Sequence, residues 1–240
     1  MQHYFGTIAD DHAIIDGKQI HHLINVRRGT IGEKIEVSDG TDAFLCVIEG
    51  LDPLSIKVLN KIEEKRELDV DLTLAFGVLK GDHNDLIVLK GTELGVAKFI
   101  PFTCARTVVV PTEEEDNRIK RLRKKAEEGA MQCRRELVPM VTGYHKFEDV
   151  LATPADLKIF AYEDMWTCSE NLLSLAPNIK KHSHILVVIG PEGGFSKEEA
   201  RLALDYDFEF VSLGKRILRA ETAAIYAASI IGAIAEGDIS

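Results

Sequence analysis

Residues 185–196 read Ile-Leu-Val-Val-Ile-Gly-Pro-Glu-Gly-Gly-Phe-Ser. Five consecutive apolar residues, most of them β-branched, mark a strand buried on both faces, as in a covered parallel sheet. The strand runs straight into a Gly-rich turn, and Ser196 with Glu199 makes an S-x-x-E capping box that starts a helix at Lys197. Glycines there admit backbone conformations and a close ligand approach that a Cβ would forbid, although a plain strand-to-helix turn uses them too. The turn fits neither G-x-x-x-x-G-K-[ST] nor G-x-G-x-x-G, and the acidic Glu192 suits no phosphate cradle, so a P-loop and a dinucleotide site are excluded.

The same texture extends outward. Stretches 70–76, 99–102, 157–161 and 208–213 read as strands. Helices are expected after Gly81-Asp82, with Leu86, Ile87, Leu89 and Leu94 on the apolar side and Gly95 as the stop, and over 117–133, 197–205 and 221–235. The last is apolar almost all round and has to be buried or lie in an interface. Strands alternating with helices argue an α/β domain with a parallel sheet. The first 70 residues differ. They alternate weakly over 34–48 around an Asp39-Gly40 hairpin signal and again over 55–59, with a short helix at 21–28 stopped by Gly29, a pattern that fits a small β-barrel. Glu63-Glu-Lys-Arg-Glu67 lacks core-forming residues and reads as the linker, which divides the chain into 1–69 and 70–240.

The 240 residues are 45% hydrophobic and 28% charged, ordinary for a globular protein with a real core. Cys46, Cys104, Cys133 and Cys168 have no knuckle or dithiol spacing, and the eight histidines show no ligand spacing, so thiols of a reducing cytosol and no metal are expected. No apolar run approaches the ~18 residues of a membrane span. The start, Met1-Gln-His-Tyr4, has no signal-peptide character, and the expectation is a cytoplasmic protein away from membranes. A net charge of −10 argues against nucleic acid, yet residues 118–135 hold eight Lys and Arg against two Glu, behind the acidic run Glu113-Glu-Glu-Asp116. That excess is either a solvated helix face or a polyanion-binding surface.

A second segment, Leu213-Gly-Lys-Arg-Ile-Leu-Arg-Ala-Glu-Thr-Ala223, also follows a strand and enters a helix. Two such loops at the carboxyl ends of strands converge on one crevice in an open α/β sheet. Arg219 reads as an anion or base-edge donor, or as the partner of Glu221, which gains ~0.3–1 kcal/mol from the helix dipole without any catalytic role.

Together the two motifs resemble the SPOUT-class methyltransferases, more narrowly the bacterial family that methylates N3 of a uridine in 16S ribosomal RNA. The resemblance continues through Lys80-Gly-Asp82, Lys90-x-Thr-Glu-Leu-Gly-Val96, Arg106-Thr-Val-Val, Gln132-Cys133 with Arg135, and Val138-Pro139, and covers essentially the whole chain. It implies a PUA-like RNA-binding barrel in front, a SPOUT domain with a C-terminal trefoil knot, a homodimer, and 16S rRNA or the small ribosomal subunit as partner. It implies S-adenosylmethionine held by Ile189, Gly190, Pro191, Glu192, Gly193, Gly194, Leu213, Gly214, Ile217, Leu218 and Thr222. Where the family commonly has Gln, Glu, Arg, Leu and Lys, this chain has Leu89, Met131, His3, Arg27 and His83.

Uridine N3 carries a proton at neutral pH, so methylation there needs the proton removed or the anion stabilised. Arg219 is the candidate cation beside a uracil carbonyl. Neither motif contains a histidine, which leaves Glu221 or water as base, and Glu221 reads as structural rather than catalytic. Arg28, Lys80, Lys90, Arg106, Arg121, Lys124 and Arg135 are the expected RNA contacts. The alternatives are a SPOUT enzyme acting on ribose 2′-OH or tRNA, and a non-catalytic ribosome-assembly RNA binder.

Overall fold

A computed structural model describes residues 1–108, 115–163 and 170–237; Val109, Glu113, Glu114 and Cys168 lie outside them. The chain forms two compact units, residues 1–67 with 127–138, and residues 68–126 with 139–240. Residues 127–138 thus cluster with the first unit although they fall within 70–240.

In the first unit, β1 (Gln2–Ala9) and β2 (His12–Ile15) lead into α1 (Gly17–His21), capped by Asp16, and then a π-helical turn, His22–Val26. The helical stretch therefore starts four residues before the expected 21, because the Asp16 carboxylate accepts the N–H of Gln19 at 2.8 Å. β3 (Lys34–Ser38), β4 (Ala43–Leu51) and β5 (Leu54–Ile62) follow. The order β1-β2-β5-β4-β3 closes on itself through parallel β1–β3 pairing, which leaves no sheet edge. The hairpin turn falls where Asp39-Gly40 placed it: Asp39 accepts from the N–H groups of Thr41 and Asp42, each at 2.9 Å. Tyr4, Leu23, Ile35, Val37, Cys46, Ile48 and Ile56 fill the barrel, with Met131 packed against them. Burial there pushes the Cys46 thiol up to about 11.

The charged stretch read as a linker ends at the boundary between the units and is also anchored within the first. Glu67 accepts from Arg135 Nε at 3.0 Å and from the backbone N–H groups of Glu136 and Leu137 at 3.1 and 3.3 Å. Arg66 donates to Glu36 at 2.8 Å and to the carbonyl of Arg134 at 2.9 Å. Burial raises the Glu36 carboxyl, but the Arg66 guanidinium, with His3 and Arg134, holds it below the usual carboxylate range. Its contribution to stability is present above the ordinary glutamate value and is lost as pH falls through the depressed one.

The second unit is a parallel sheet. Its elements are β6 (Asp71–Gly77), α2 (His83–Glu93), β7 (Lys98–Thr103), α3 (Glu115–Cys133), β8 (Met140–Val141), β9 (His145–Lys146), α4 (Phe147–Leu151), β10 (Leu157–Ala161), α5 (Ala176–Lys181), β11 (His184–Ile189), α6 (Lys197–Asp205), β12 (Glu209–Val211) and α7 (Ala220–Ala235). The last residues of α3 belong to the first unit. Strand order is β12-β10-β11-β6-β7-β8, with β9 also beside β7. Alternation along β11 explains its unbroken apolar run. Ile185, Val187 and Ile189 join one core, with α2, α5 and α7, while Leu186 and Val188 join the other, with α4 and α6.

The second core is aromatic: Phe160 lies 4.3 Å from Phe195 and 4.9 Å from Phe210, centroid to centroid. The α6 capping box forms as expected, Ser196 and Glu199 exchanging bonds of 3.1 and 2.7 Å. In α2 the buried stripe runs through Ile87, Val88, Gly91 and Thr92. Leu86, expected on the apolar side, is exposed.

Arg135 is 3% exposed, so Glu67→Ala withdraws the carboxylate from a buried guanidinium and two backbone donors. Urea denaturation is expected to register a loss of about 3–5 kcal/mol.

Candidate functional site

Because the sheet is parallel, its strands end at one edge, and two pairs of strand ends lie side by side there: Phe76 with Ile189, and Ala161 with Val211. The chain leaves this edge in turns that surround a cleft of about 1060 Å³, lined by the ends of β10 and β11, residues 190–195, residues 212–219 and the first turn of α7.

The 190–194 turn is fixed by contacts that require its glycines. The Gly194 N–H donates to the Pro191 carbonyl at 2.9 Å, and Gly194 has φ +65°. A Cβ at Gly193 would stand 2.9 Å from Arg106 Cβ, and Arg106 itself donates to the Gly193 carbonyl at 3.1 Å. A Cβ at Gly77 would stand 2.5 Å from Pro191 N. Glu192 turns away from any phosphate role and accepts the Lys80 backbone N–H at 3.0 Å. In the second turn Gly214 has φ +116°, and its N–H is held by Ser212 Oγ at 3.1 Å. Ser212 pairs with Asn171, which brings Glu170 and Asn171 into the wall.

Ile189, Leu213, Ile217, Leu218, Ala220 and Ala223 supply apolar surface. The polar lining is mixed, with Glu163, Glu170, Glu192 and Glu221 against Lys215, Arg216 and Arg219. Such a cleft suits a ligand with an apolar ring system and charges of both signs rather than a polyphosphate. Arg219 is the exposed N-cap of α7 and makes no side-chain cap bond. Glu221, in the first turn, is 9% exposed, and its Oε1 lies 3.5 Å from His83 Nδ1 at the start of α2.

A family model described as an RNA methyltransferase domain matches residues 66–232, and one described as an RNA methyltransferase PUA domain matches residues 15–59. The chain belongs to the RNA methyltransferase family. It is 36% identical over 229 residues to ribosomal RNA small subunit methyltransferase E of Bacillus subtilis (strain 168), covering 90% of this chain and 88% of that one. It is 31% identical to the protein of the same name from Synechocystis, covering 91% and 72%. Its fold is similar to that of ribosomal RNA small subunit methyltransferase E from Neisseria gonorrhoeae, solved bound to S-adenosyl methionine. That structure has TM-score 0.85 and 25% identity, with 95% of each chain covered.

In this family member the cleft gathers the expected residues of both motifs except Thr222. Helical geometry turns Thr222 to the exposed side of α7 while Glu221 and Ala223 face inward. The expected RNA contacts are dispersed. Arg28 is exposed with φ +54°, Lys80 is exposed beside the cleft, Lys90 pairs with Glu93 at 2.9 Å, and Lys124 is exposed on α3. Arg121 is exposed and paired with Asp85 and Asp82 at 2.6 and 2.5 Å. One is corrected: Arg135 is buried against Glu67. Arg123 likewise donates to the Val141 carbonyl at 3.0 Å. Part of the one-signed excess over 118–135 is thus engaged by acceptors within the protein, Arg135 alone in a buried ion pair.

His83, Glu163, Glu170 and Asn171 were absent from the expected site. His83 alone carried a signal, as a departure from the family's lysine; the others come from the segment after β10, which has no motif.

Gly77→Ala forces a Cβ into the Pro191 backbone and is expected to lower Tm by more than about 3 °C. Gly17→Ala, whose Cβ meets nothing within 4 Å, changes it little. Thermal scans of the two variants make the comparison.

Proposed function

We propose that this protein transfers a methyl group from S-adenosylmethionine to N3 of a specific uridine in 16S ribosomal RNA. The observation that carries this reading is the glycine-walled cleft. Both C-terminal motifs open into it, and Arg219 and Glu221 stand at its rim. The lining fits the donor. Apolar side chains and glycine backbone accommodate an adenosine, and carboxylates and cations together accommodate an amino acid bearing a sulfonium. Bound there, the donor supplies a methyl group activated by positive sulfur.

The chain's own residues do the rest. Ile189, Leu213 and Leu218 exclude water from one side, and the backbone of Gly190, Pro191, Gly193, Gly194 and Gly214 allows close approach. Glu192 keeps the turn in place through Lys80. Arg219 offers a guanidinium to the uracil oxygen on which charge grows as N3 loses its proton. RNA positions the base, and Arg28, Lys80, Lys90, Arg106, Arg121 and Lys124 are the phosphate contacts in this reading, with the barrel of the first unit as an RNA-binding module. The reading also includes a cytoplasmic setting, a C-terminal trefoil knot and a homodimer, for which the exposed Ile217 and Tyr226 supply apolar surface. Among the described residues, no helix is long and apolar enough to cross a membrane, and no cluster of three His, Cys, Asp or Glu could hold a metal.

The test is incubation with labelled S-adenosylmethionine and unmethylated small ribosomal subunits, followed by nucleoside analysis. The expected product is 3-methyluridine, and Arg219→Ala is expected to lower kcat about 10²–10³-fold. Label on a ribose or on tRNA would redirect the substrate, and no label with no cofactor binding would favour an RNA binder.

A further inference from the structure

We infer that His83, oriented by Glu221, accepts the N3 proton of the uridine. This rests on the uridine-N3 reading above. The reaction needs a base near the reacting nitrogen that is unprotonated at working pH yet able to hold a proton, and imidazole is the side chain that ordinarily titrates there. Among the described lining residues, His83 is the one histidine. The cations Lys215, Arg216 and Arg219 have no lone pair to offer at neutral pH. Of the carboxylates, Glu192 already accepts from Lys80 and Glu170 accepts from Ser174 Oγ at 3.0 Å.

The geometry is that of a base with an orienting acid. Glu221 Oε1 lies 3.5 Å from His83 Nδ1, with the carboxylate side chain 12% exposed and the imidazole 46%. A carboxylate within ion-pair distance of Nδ1 is placed to accept an Nδ1–H, the tautomer that leaves the Nε2 lone pair for a substrate proton, and to stabilise the imidazolium that follows. The segment bearing His83 is tied down. Asn84 bonds both backbone groups of Leu79 at 2.9 and 2.8 Å, Glu192 holds Lys80 N–H, and Arg121 holds Asp82 and Asp85. The atoms balance. The electron pair of N3–H becomes the N3–CH3 bond, the S–CH3 pair stays on sulfur to give a thioether, and the proton leaves on His83 Nε2.

The charged residues that line the same cleft as His83 are Glu163, Glu170, Glu192, Lys215, Arg216, Arg219 and Glu221, and its own loop and helix carry Lys80, Asp82 and Asp85, the two aspartates paired with Arg121 from α3. The Glu221 carboxylate lies within ion-pair distance of the ring. Wild type, His83→Ala, His83→Gln and Glu221→Gln would be compared for 3-methyluridine formation on unmethylated small subunits across pH, and for S-adenosylmethionine binding by calorimetry. The His83 imidazole would be titrated by NMR without substrate. His83→Ala and His83→Gln should lower kcat about 100-fold, lose the unit-slope acidic limb of the wild-type profile, and bind the cofactor like wild type, with partial rescue of His83→Ala by added imidazole. Glu221→Gln should move both the limb and the His83 NMR midpoint to lower pH. Wild type making 3-methyluridine while His83→Ala keeps its rate and acidic limb overturns this inference and leaves the uridine reading standing. An unchanged NMR midpoint in Glu221→Gln overturns the pairing. A wild-type product methylated elsewhere overturns the uridine reading and this role together.

Discussion

Where β6 ends, the backbone of Gly77 lies so close to Pro191 that a Cβ would come within 2.5 Å of its nitrogen. That contact follows from the pairing of Phe76 with Ile189 at the ends of two adjacent parallel strands. It joins two loops that are over a hundred residues apart in sequence. Glu192 spans the same gap to the Lys80 N–H, and Arg106 ties the far side of the turn through the Gly193 carbonyl. The cleft keeps its shape because these turns are locked to one another through backbone groups, so a ligand meets a preorganised wall rather than a loop that has to be ordered on binding.

Charge is deployed on the same economy of contacts. Three basic residues of α3 and of the turn after it are engaged by carboxylates or carbonyls of the protein: Arg121 at the surface by Asp82 and Asp85, Arg123 by Val141, and the buried Arg135 by Glu67. Arg121 thereby steadies the start of α2, the position from which His83 meets Glu221. In the barrel, Arg66 and His3 converge on a carboxylate, Glu36, that is almost wholly buried. Burial lowers the His3 imidazole below its ordinary value despite that carboxylate, so the acid is balanced chiefly by arginine. In the cleft, by contrast, acids and bases are interspersed, which gives a field of changing sign over a short distance and suits a zwitterionic ligand better than a polyanion.

Helix α7 joins core and site. Ala224, Ala227, Ala228 and Ile231 seat it in the core that α2 and α5 also cover, and that burial holds the helix start at the cleft. Arg219 at the cap and Glu221 in the first turn are therefore carried by a rigid element. The helical turn that brings Glu221 toward His83 also turns Thr222 outward.

What the sequence by itself determined is local in origin. The apolar run at 185–189, the glycines at 190, 193 and 194, the Ser196–Glu199 box and the Asp39-Gly40 turn each follow from neighbouring residues and backbone sterics, and with them came the α/β class, the front barrel and the two motifs that line the cleft. What only the tertiary structure decided is which distant side chains meet. Nothing near Arg135 in sequence signals that Glu67, 68 residues away, neutralises it, so a buried structural ion pair reads as a surface cation. Nothing near Glu67 marks a charged stretch as an anchor. His83 and Glu221 stand on different helices, α2 and α7, which come together because both pack into the same core on one face of the sheet. Long-range pairing of this kind depends on strand order and register, which residue types at short spacing do not encode.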